Sequence, residues 1–188
     1  RTYILVLMMI SSAMPISELM IKDVKTIELG ATIETAARMM ADSNIGSVII
    51  VEEEKLLGIL TERDILTEVV ANNKKPSEVG VAEIMAYPLI SISPEIPVSS
   101  VIEKMAKLNI RRMPVVDRGK LIGIVCSRDV FREAPKLLEI SRKHRRKNFL
   151  EGDYSDIIIS GKCSDCSTYS YNLMDVEGRR LCPNCRDY

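Results

Sequence analysis

Four cysteines have the residue spacing that most directly indicates a chemical function. Cys163 and Cys166 form one C-x2-C pair, fifteen residues follow, and Cys182 and Cys185 form a second pair. Two such pairs at this separation supply four thiolates to a tetrahedral metal ion. Because protein then occupies every coordination position, the pattern predicts a structural site with no place for an activated water.

The metal predicted at these cysteines is zinc, with iron as the alternative, and residues 151–188 resemble a zinc ribbon with a short hairpin across residues 175–178. So short a segment has almost no apolar core, so metal binding would supply most of its folding free energy. Iron sites of the rubredoxin type usually carry Gly after each pair, where Ser167 and Arg186 stand here. Two disulfides are a further alternative. The remaining cysteine, Cys126, is alone, which indicates a reducing compartment and disfavours disulfides.

A second pattern with chemical potential occurs twice. Thr61 ends an apolar run and Asp64 lies three residues later; Ser127 and Asp129 occupy the corresponding stretch further on. One interpretation is a capping box at the start of a helix. The other is a ligand site, in which the helix N-terminus binds a phosphate and the carboxylate accepts both hydroxyls of a ribose. In the second copy Cys126 replaces the threonine, and Ser127 could act for it after a one-residue shift.

The two copies of this second pattern belong to a sequence repeat with an offset of 65 residues. Met20–Asp64 aligns with Met85–Asp129 without a gap, and 13 of the 45 positions are identical. Each copy has an extended segment, a helix with apolar residues at 3–4 spacing, two apolar strands joined by a charged turn, and a closing helix. The predicted fold class is therefore α/β (α+β), with two tandem β-α-β-β-α units that form a compact pair, and a small metal-stabilised β ribbon.

The repeated strings resemble a known family. GILTERDIL and GIVCSRDVF, preceded by NIGSVIIV and NIRRMPVV, are similar to tandem CBS domains, the regulatory modules named after cystathionine β-synthase. The resemblance covers about residues 15–131. It implies a disc-shaped pair that dimerises, does not catalyse, and binds an adenosine-containing ligand between its domains: AMP, ADP, ATP or S-adenosylmethionine.

Arg111 and Arg112 are an unusual pair, because their counterparts in the first copy are Gly46 and Ser47. The resemblance implies that this stretch faces ligand phosphates, and guanidinium groups suit that task through paired, charge-assisted hydrogen bonds. The alternative is a solvated basic turn. The candidate ligand-binding residues are Thr61, Asp64, Arg111, Arg112, Ser127 and Asp129.

The predicted organisation has five segments: an apolar N-terminal arm (1–14), the first CBS domain (15–75), the second (76–134), a basic linker helix (135–150) and the ribbon (151–188). The longest apolar run is far shorter than the ~20 residues that a membrane span requires. We therefore expect a cytoplasmic protein that does not enter a membrane. The arm is a candidate interface for a homodimer.

The function predicted first is a non-catalytic regulatory sensor, whose CBS pair binds an adenosine nucleotide and whose zinc ribbon presents a surface to a partner. The alternative is an RNA- or DNA-binding protein that uses the basic run at 142–147, the ribbon and the ring faces of Tyr169 and Tyr171, with the CBS pair as a dimerisation platform. A rubredoxin-like electron carrier is a third hypothesis. An enzyme is not expected, because the only histidine, His144, lies in a charge run and no nucleophile–base pair is apparent.

Overall fold

The structure is a computed structural model that describes residues 14–130 and 157–186. The predicted N-terminal arm, apart from residue 14, and the basic linker helix lie outside the described residues. The chain divides into two compact units. One holds the described parts of 1–23 and 91–157, and the other holds 24–90 with the ribbon.

The first repeat forms a three-stranded sheet with helices beside it. Strand β1 is parallel to β2, and β2 is antiparallel to β3. Thr32 caps the N-terminus of the first long helix. Its side-chain oxygen accepts a hydrogen bond from the backbone N–H of Thr35 at 3.3 Å. The elements are β1 (Thr26–Glu28), α1 (Ile33–Asp42), β2 (Ser47–Glu52), β3 (Lys55–Thr61), α2 (Glu62–Ile65), which continues as a π-helical turn (Leu66–Val70), and α3 (Val81–Ile84).

The core of this unit comes from the continuous apolar strands and one face of α1. Val48, Ile50 and Leu60 are fully buried, as are Ile33 and Ala36 of α1. Burying one such aliphatic side chain stabilises a fold by about 1.5–3 kcal/mol. The 3–4 spacing noted in the sequence therefore corresponds to the helix face that packs on the sheet.

The second repeat has the same order of elements. Ile92 of β4 pairs in parallel with Val115 of β5, and β5 is antiparallel to β6 in a register from Arg112–Cys126 to Asp117–Lys120. A closing helix begins at residue 127. The elements are β4 (Leu89–Ile92), which spans the boundary between the units, α4 (Val98–Lys107), β5 (Arg112–Asp117) and β6 (Lys120–Cys126). The predicted β-α-β-β-α order and fold class are confirmed.

Two glycines of the repeat explain how an extended segment covers the last strand of each copy. Ile59 pairs with Ala86, and a Cβ at Gly58 would lie 2.6 Å from the carbonyl oxygen of Ala86. In the other unit Ile21 pairs with Ile124, and a Cβ at Gly123 would lie 2.5 Å from the Sδ of Met20. At Gly58 the contact is with backbone, so a residue with a Cβ would push the two segments apart. At Gly123 the nearest atoms belong to the Met20 side chain, and the carbonyl oxygen of Ile21 follows at 3.1 Å.

The ribbon contains two small antiparallel pairs. Strand β7 pairs with β8, and β9 pairs with β10 through a turn in which Glu177 and Gly178 both have positive φ, 53° and 83°. The predicted hairpin across residues 175–178 is present, with Met174–Val176 and Arg179–Leu181 as its strands. The preceding Tyr169–Ser170 pairs with β7. The elements are β7 (Ile157–Lys162), β8 (Tyr169–Ser170), β9 (Met174–Val176), β10 (Arg179–Leu181) and α5 (Pro183–Arg186). Among the described residues, no helix is long and apolar enough to cross a membrane.

Candidate metal centre and ligand sites

The four cysteines of the ribbon converge on one point. The Sγ atoms of Cys163, Cys166, Cys182 and Cys185 all lie within 4.8 Å of one another. The Sγ atoms of Cys166 and Cys182 are 3.7 Å apart. A tetrahedral zinc with Zn–S bonds of about 2.3 Å places its sulfurs about 3.8 Å apart, so this spacing matches a metal-bound set. It is far longer than the ~2.05 Å of a disulfide bond, and the four thiols are free.

Each cysteine pair lies in a tight backbone turn. In the first turn the backbone N–H of Cys163 donates to the carbonyl of Thr168 at 2.9 Å, and that of Ser167 donates to the carbonyl of Cys163 at 3.0 Å. Ser167 has φ 59°, the left-handed conformation that glycine usually supplies at this point. The second turn closes through the N–H of Cys185 on the carbonyl of Cys182 at 3.0 Å. Ser167 therefore adopts the conformation that glycine usually supplies at this position in iron sites.

The electrostatics of the four thiols indicate that a cation belongs among them. Backbone N–H groups of Cys166 and Cys182 lower the pKa of Cys163 to about 6. The neighbouring sulfurs of Cys166 and Cys182 raise the pKa of Cys185 to about 12. Four thiolates this close repel one another, so they can all ionise together only around a positive charge. The donor set therefore fits a metal ion, which would hold the two turns together and supply no catalytic position.

Around the metal centre the ribbon has a very small core. Cys163 and Cys182 are themselves two of its four buried members, with Leu173 and Leu181. The backbone N–H of Cys182 also donates to the Sγ of Cys163 at 3.4 Å. Half of the buried cluster is therefore cysteine that could hold a metal ion.

In the first repeat the structure brings Thr61 and Asp64 together. The Asp64 carboxylate accepts hydrogen bonds from the backbone N–H of Thr61 at 2.8 Å and from its hydroxyl at 2.6 Å. The N–H of Asp64 donates to the Thr61 hydroxyl at 3.4 Å. This is the capping box that the sequence predicts as one interpretation, and both hydrogen bonds to the Asp64 carboxylate use its Oδ2.

The second repeat brings Arg112, Cys126 and Asp129 together at the equivalent position. Arg112 is the cross-strand partner of Cys126, and the Asp129 side chain is hydrogen-bonded to the Cys126 thiol. Burial is the main cause of the raised pKa of Cys126; the guanidinium of Arg112 acts in the opposite direction. A neutral thiol therefore takes the place of the Thr61 hydroxyl. Asp129 is 9% exposed, so its carboxylate is largely protected from water.

A cavity of about 250 Å³ adjoins this motif in the second repeat. Two of the predicted residues, Arg111 and Ser127, line it, and the backbone N–H of Ser127 donates to the carbonyl of Arg111 at 2.9 Å. The wall is mainly apolar and carries a few polar groups, which is the pattern of small-molecule sites. The lining residues are Ile102, Met105, Ala106, Asn109, Ile110, Arg111 and Ser127.

Five of these lining residues were not predicted from the sequence as site residues. Two of them, Asn109 and Ile110, carried a signal, because Asn44-Ile45 is repeated there without change. Asn44 and Asn109 have φ 51° and 53°, the left-handed conformation that often ends a helix and that Asn tolerates. The repeated asparagine therefore turns the chain from the helix into the loop beside the site.

The structure places Tyr169, one of the two predicted stacking groups, against the first repeat. Its hydroxyl donates to the carbonyl of Leu56, its half-buried ring packs on the core of the first repeat, and burial raises its pKa. The basic run at 142–147, on which the nucleic-acid hypothesis also depends, lies outside the described residues.

Comparison with known proteins gives three findings. The family model described as the CBS domain matches residues 16–71 and 81–136. Uncharacterized proteins of Methanopyrus kandleri and Methanocaldococcus jannaschii are 37% and 36% identical, cover 83% and 95% of this chain, and are themselves covered over 84% and 95%. A solved CBS domain pair, that of protein MJ0100 in complex with 5-methylthioadenosine and S-adenosyl-L-methionine, is 35% identical, with a TM-score of 0.59, over 66% of this chain and 98% of that chain.

Proposed function

The chain belongs to the CBS-domain family, and from that premise we propose that it is a non-catalytic sensor of an adenosine-containing ligand, with a structural zinc site in its ribbon. The observation that carries this proposal is the cavity beside the second motif. There an apolar wall, the guanidinium of Arg111 and the hydroxyl of Ser127 adjoin the strand that carries Cys126.

The chemistry of this cavity suits an adenosine derivative. Its apolar wall accepts a purine face, and Arg111 pairs with a phosphate or with the carboxylate of S-adenosylmethionine. The Asp129 carboxylate accepts the two ribose hydroxyls. Asp64 has the equivalent role in the first repeat, where both hydrogen bonds from Thr61 use its Oδ2 and leave its Oδ1 for the ribose. The complex of the related CBS pair with S-adenosylmethionine and 5-methylthioadenosine supports ligands of this class.

Zinc is the metal we propose for the four-cysteine site. Four thiolates in a tetrahedron suit zinc, which needs no open position in a structural role. Such a site survives only where thiols stay reduced, so we place the protein in the cytoplasm. We also propose that the protein forms a homodimer and that a partner contacts the surface of the ribbon.

Ligand-induced thermal stabilisation of the site variants tests the proposal. S-adenosylmethionine or AMP at 100 times its Kd should stabilise the folded protein by about 2.7 kcal/mol. We expect Asp129→Asn and Asp64→Asn to reduce that shift. Glu83→Gln is the matched control, because the Glu83 carboxylate also accepts a helix-start N–H, that of Gly80 at 2.7 Å, but lies outside the repeated motif. A shift that is equal in all three variants and the wild type would refute the assignment of the sites.

A further inference from the structure

The ribbon is anchored to the first repeat through the tyrosine of β8. The hydroxyl of Tyr169 donates to the carbonyl of Leu56, at the beginning of β3, and the ring packs against the core of the first repeat. Its neighbour Tyr171 stacks edge-on against it, with ring centroids 4.9 Å apart, and is 39% exposed. The half-buried tyrosine thus attaches the ribbon to a backbone atom of β3.

A second anchor lies on the other strand of the same hairpin. The backbone N–H of Lys162 donates to the hydroxyl of Tyr87 at 2.7 Å, and its Nζ is 3.3 Å from the Glu52 carboxylate. The chains approach closely here, because a Cβ at Gly161 would lie 2.9 Å from the Cβ of Pro88. Tyr87 follows Ala86, whose N–H and C=O both bond to Ile59 of β3. Both anchors therefore lead to the same strand.

These two anchors flank the first metal-binding turn. Lys162 and Tyr169 are paired residues of the β7–β8 hairpin, and Cys163 and Cys166 lie in the turn that joins them. A metal ion that fixes this turn also fixes the spacing of the two anchors. Without the metal the turn keeps few backbone hydrogen bonds and almost no core of its own.

Strand β3 ends at the candidate ligand site of the first repeat. It runs from the Leu56 anchor, through the Ile59–Ala86 pairing, to Thr61, whose backbone N–H and hydroxyl position the Asp64 carboxylate. A β3 strand held at its start and middle presents this carboxylate in one arrangement. A more mobile strand must become ordered when the ligand binds. That ordering costs conformational entropy, so the affinity is lower.

We infer that metal occupancy of the four-cysteine site sets the ligand affinity of the first repeat, with the ribbon acting as a metal-dependent clamp on β3. This inference rests on the proposed function, since it names the regulation of the proposed ligand site. The metal-loaded chain binds the ligand more tightly than the metal-free chain. By thermodynamic reciprocity, bound ligand also tightens the retention of the metal.

The test compares the full chain, zinc-loaded and after chelation, in two measurements. Hydrogen exchange reports on residues 55–61 and 84–88, and calorimetric titration with S-adenosylmethionine, on an Asp129→Asn background that leaves the first repeat as the remaining site, gives the affinity. We expect chelation to raise exchange in both segments and to weaken binding by about fivefold or more, the lower end of typical coupling between sites.

Tyr169→Phe, with Tyr171→Phe as its control, distinguishes the effect of the Tyr169 contact with Leu56 from a general loss of order in the ribbon. Tyr169→Phe removes the hydroxyl that contacts Leu56 and should bring the affinity ratio between zinc-loaded and zinc-free chains towards one. Tyr171→Phe should keep the wild-type ratio. Measurable binding with the same affinity and exchange in both metal states would overturn the inference and leave the proposed function standing. Absence of binding by the zinc-loaded Asp129→Asn chain would also overturn the inference, because the first repeat would then hold no ligand site. Only absence of binding by the zinc-loaded wild-type chain as well would refute the proposed ligand function.

Discussion

Replacing Gly58 by alanine tests the close packing on which the first repeat depends. The added methyl group would lie 2.6 Å from the carbonyl oxygen of Ala86 and 3.0 Å from the Sδ of Met85. A carbon–oxygen contact needs at least about 3.3 Å, so the two backbones must separate by about 0.7 Å. Backbone atoms cannot rotate out of the way as the end of a side chain can.

The cost follows from the hydrogen bonds at that point. Ile59 N–H donates to Ala86 at 3.1 Å, and Ala86 N–H donates to Ile59 at 2.8 Å. At about 0.5–1.5 kcal/mol each, their loss lowers the free energy of unfolding by about 1–3 kcal/mol. For a chain of this length, a loss of 2 kcal/mol lowers Tm by about 4–8 °C.

Urea unfolding of the zinc-loaded protein, followed by circular dichroism, measures this loss. Gly30→Ala is the matched control, because nothing lies within 4 Å of its added Cβ and its φ is not in the left-handed region. We expect Gly30→Ala to stay within about 0.5 kcal/mol of the wild type. If Gly58→Ala were as stable as Gly30→Ala, the argument that this glycine is required by the Ala86 contact would be refuted.

Four further outcomes are expected. Thr61→Ala removes a helix cap and should lower the free energy of unfolding in urea by about 1 kcal/mol; an unchanged midpoint would show that the cap contributes nothing. Cys163→Ser should lose tightly bound zinc in metal analysis after dialysis, whereas Cys126→Ser, which is not a member of the four-cysteine cluster, should retain it; equal retention would contradict the assigned ligands. Burial raises the pKa of Cys126 from its ordinary value, so its reaction with a disulfide reagent should be slow at pH 8 and should accelerate at more alkaline pH. A fast reaction at pH 8 would contradict the burial. Gly161→Ala should force the ribbon away from Pro88 and raise hydrogen exchange in residues 158–162; unchanged exchange would mean that the contact is not close.

The repeat and the cysteine spacing were enough to predict most of the fold. A 65-residue offset shows which strands are equivalent, and continuous apolar runs show that they are buried on both faces. The identity of Gly58 and Gly123 was visible in the sequence, but its reason was not. The segment that packs against each glycine is distant along the chain. The sequence pattern does not indicate which segment that is.

The position of Tyr169 could not be predicted for the same reason. Its neighbours in sequence are polar, so a tyrosine between them suggested an exposed ring. Its partner, the carbonyl of Leu56, is 113 residues away, and its ring packs against the core of the first repeat. Local propensity gives no information about a contact of this range, whereas the CxxC turns are local and were predicted correctly as a converging set.

Calorimetric titration of the zinc-loaded full chain with AMP, ADP, ATP and S-adenosylmethionine tests the central claim most directly. The account predicts saturable binding of at least one of the four, with a negative heat-capacity change as the purine enters the apolar wall beside Arg111. Binding should be lost in the double variant Asp64→Ala, Asp129→Ala. Absence of binding to all four ligands by folded, zinc-containing protein would contradict the sensor function and favour the nucleic-acid hypothesis.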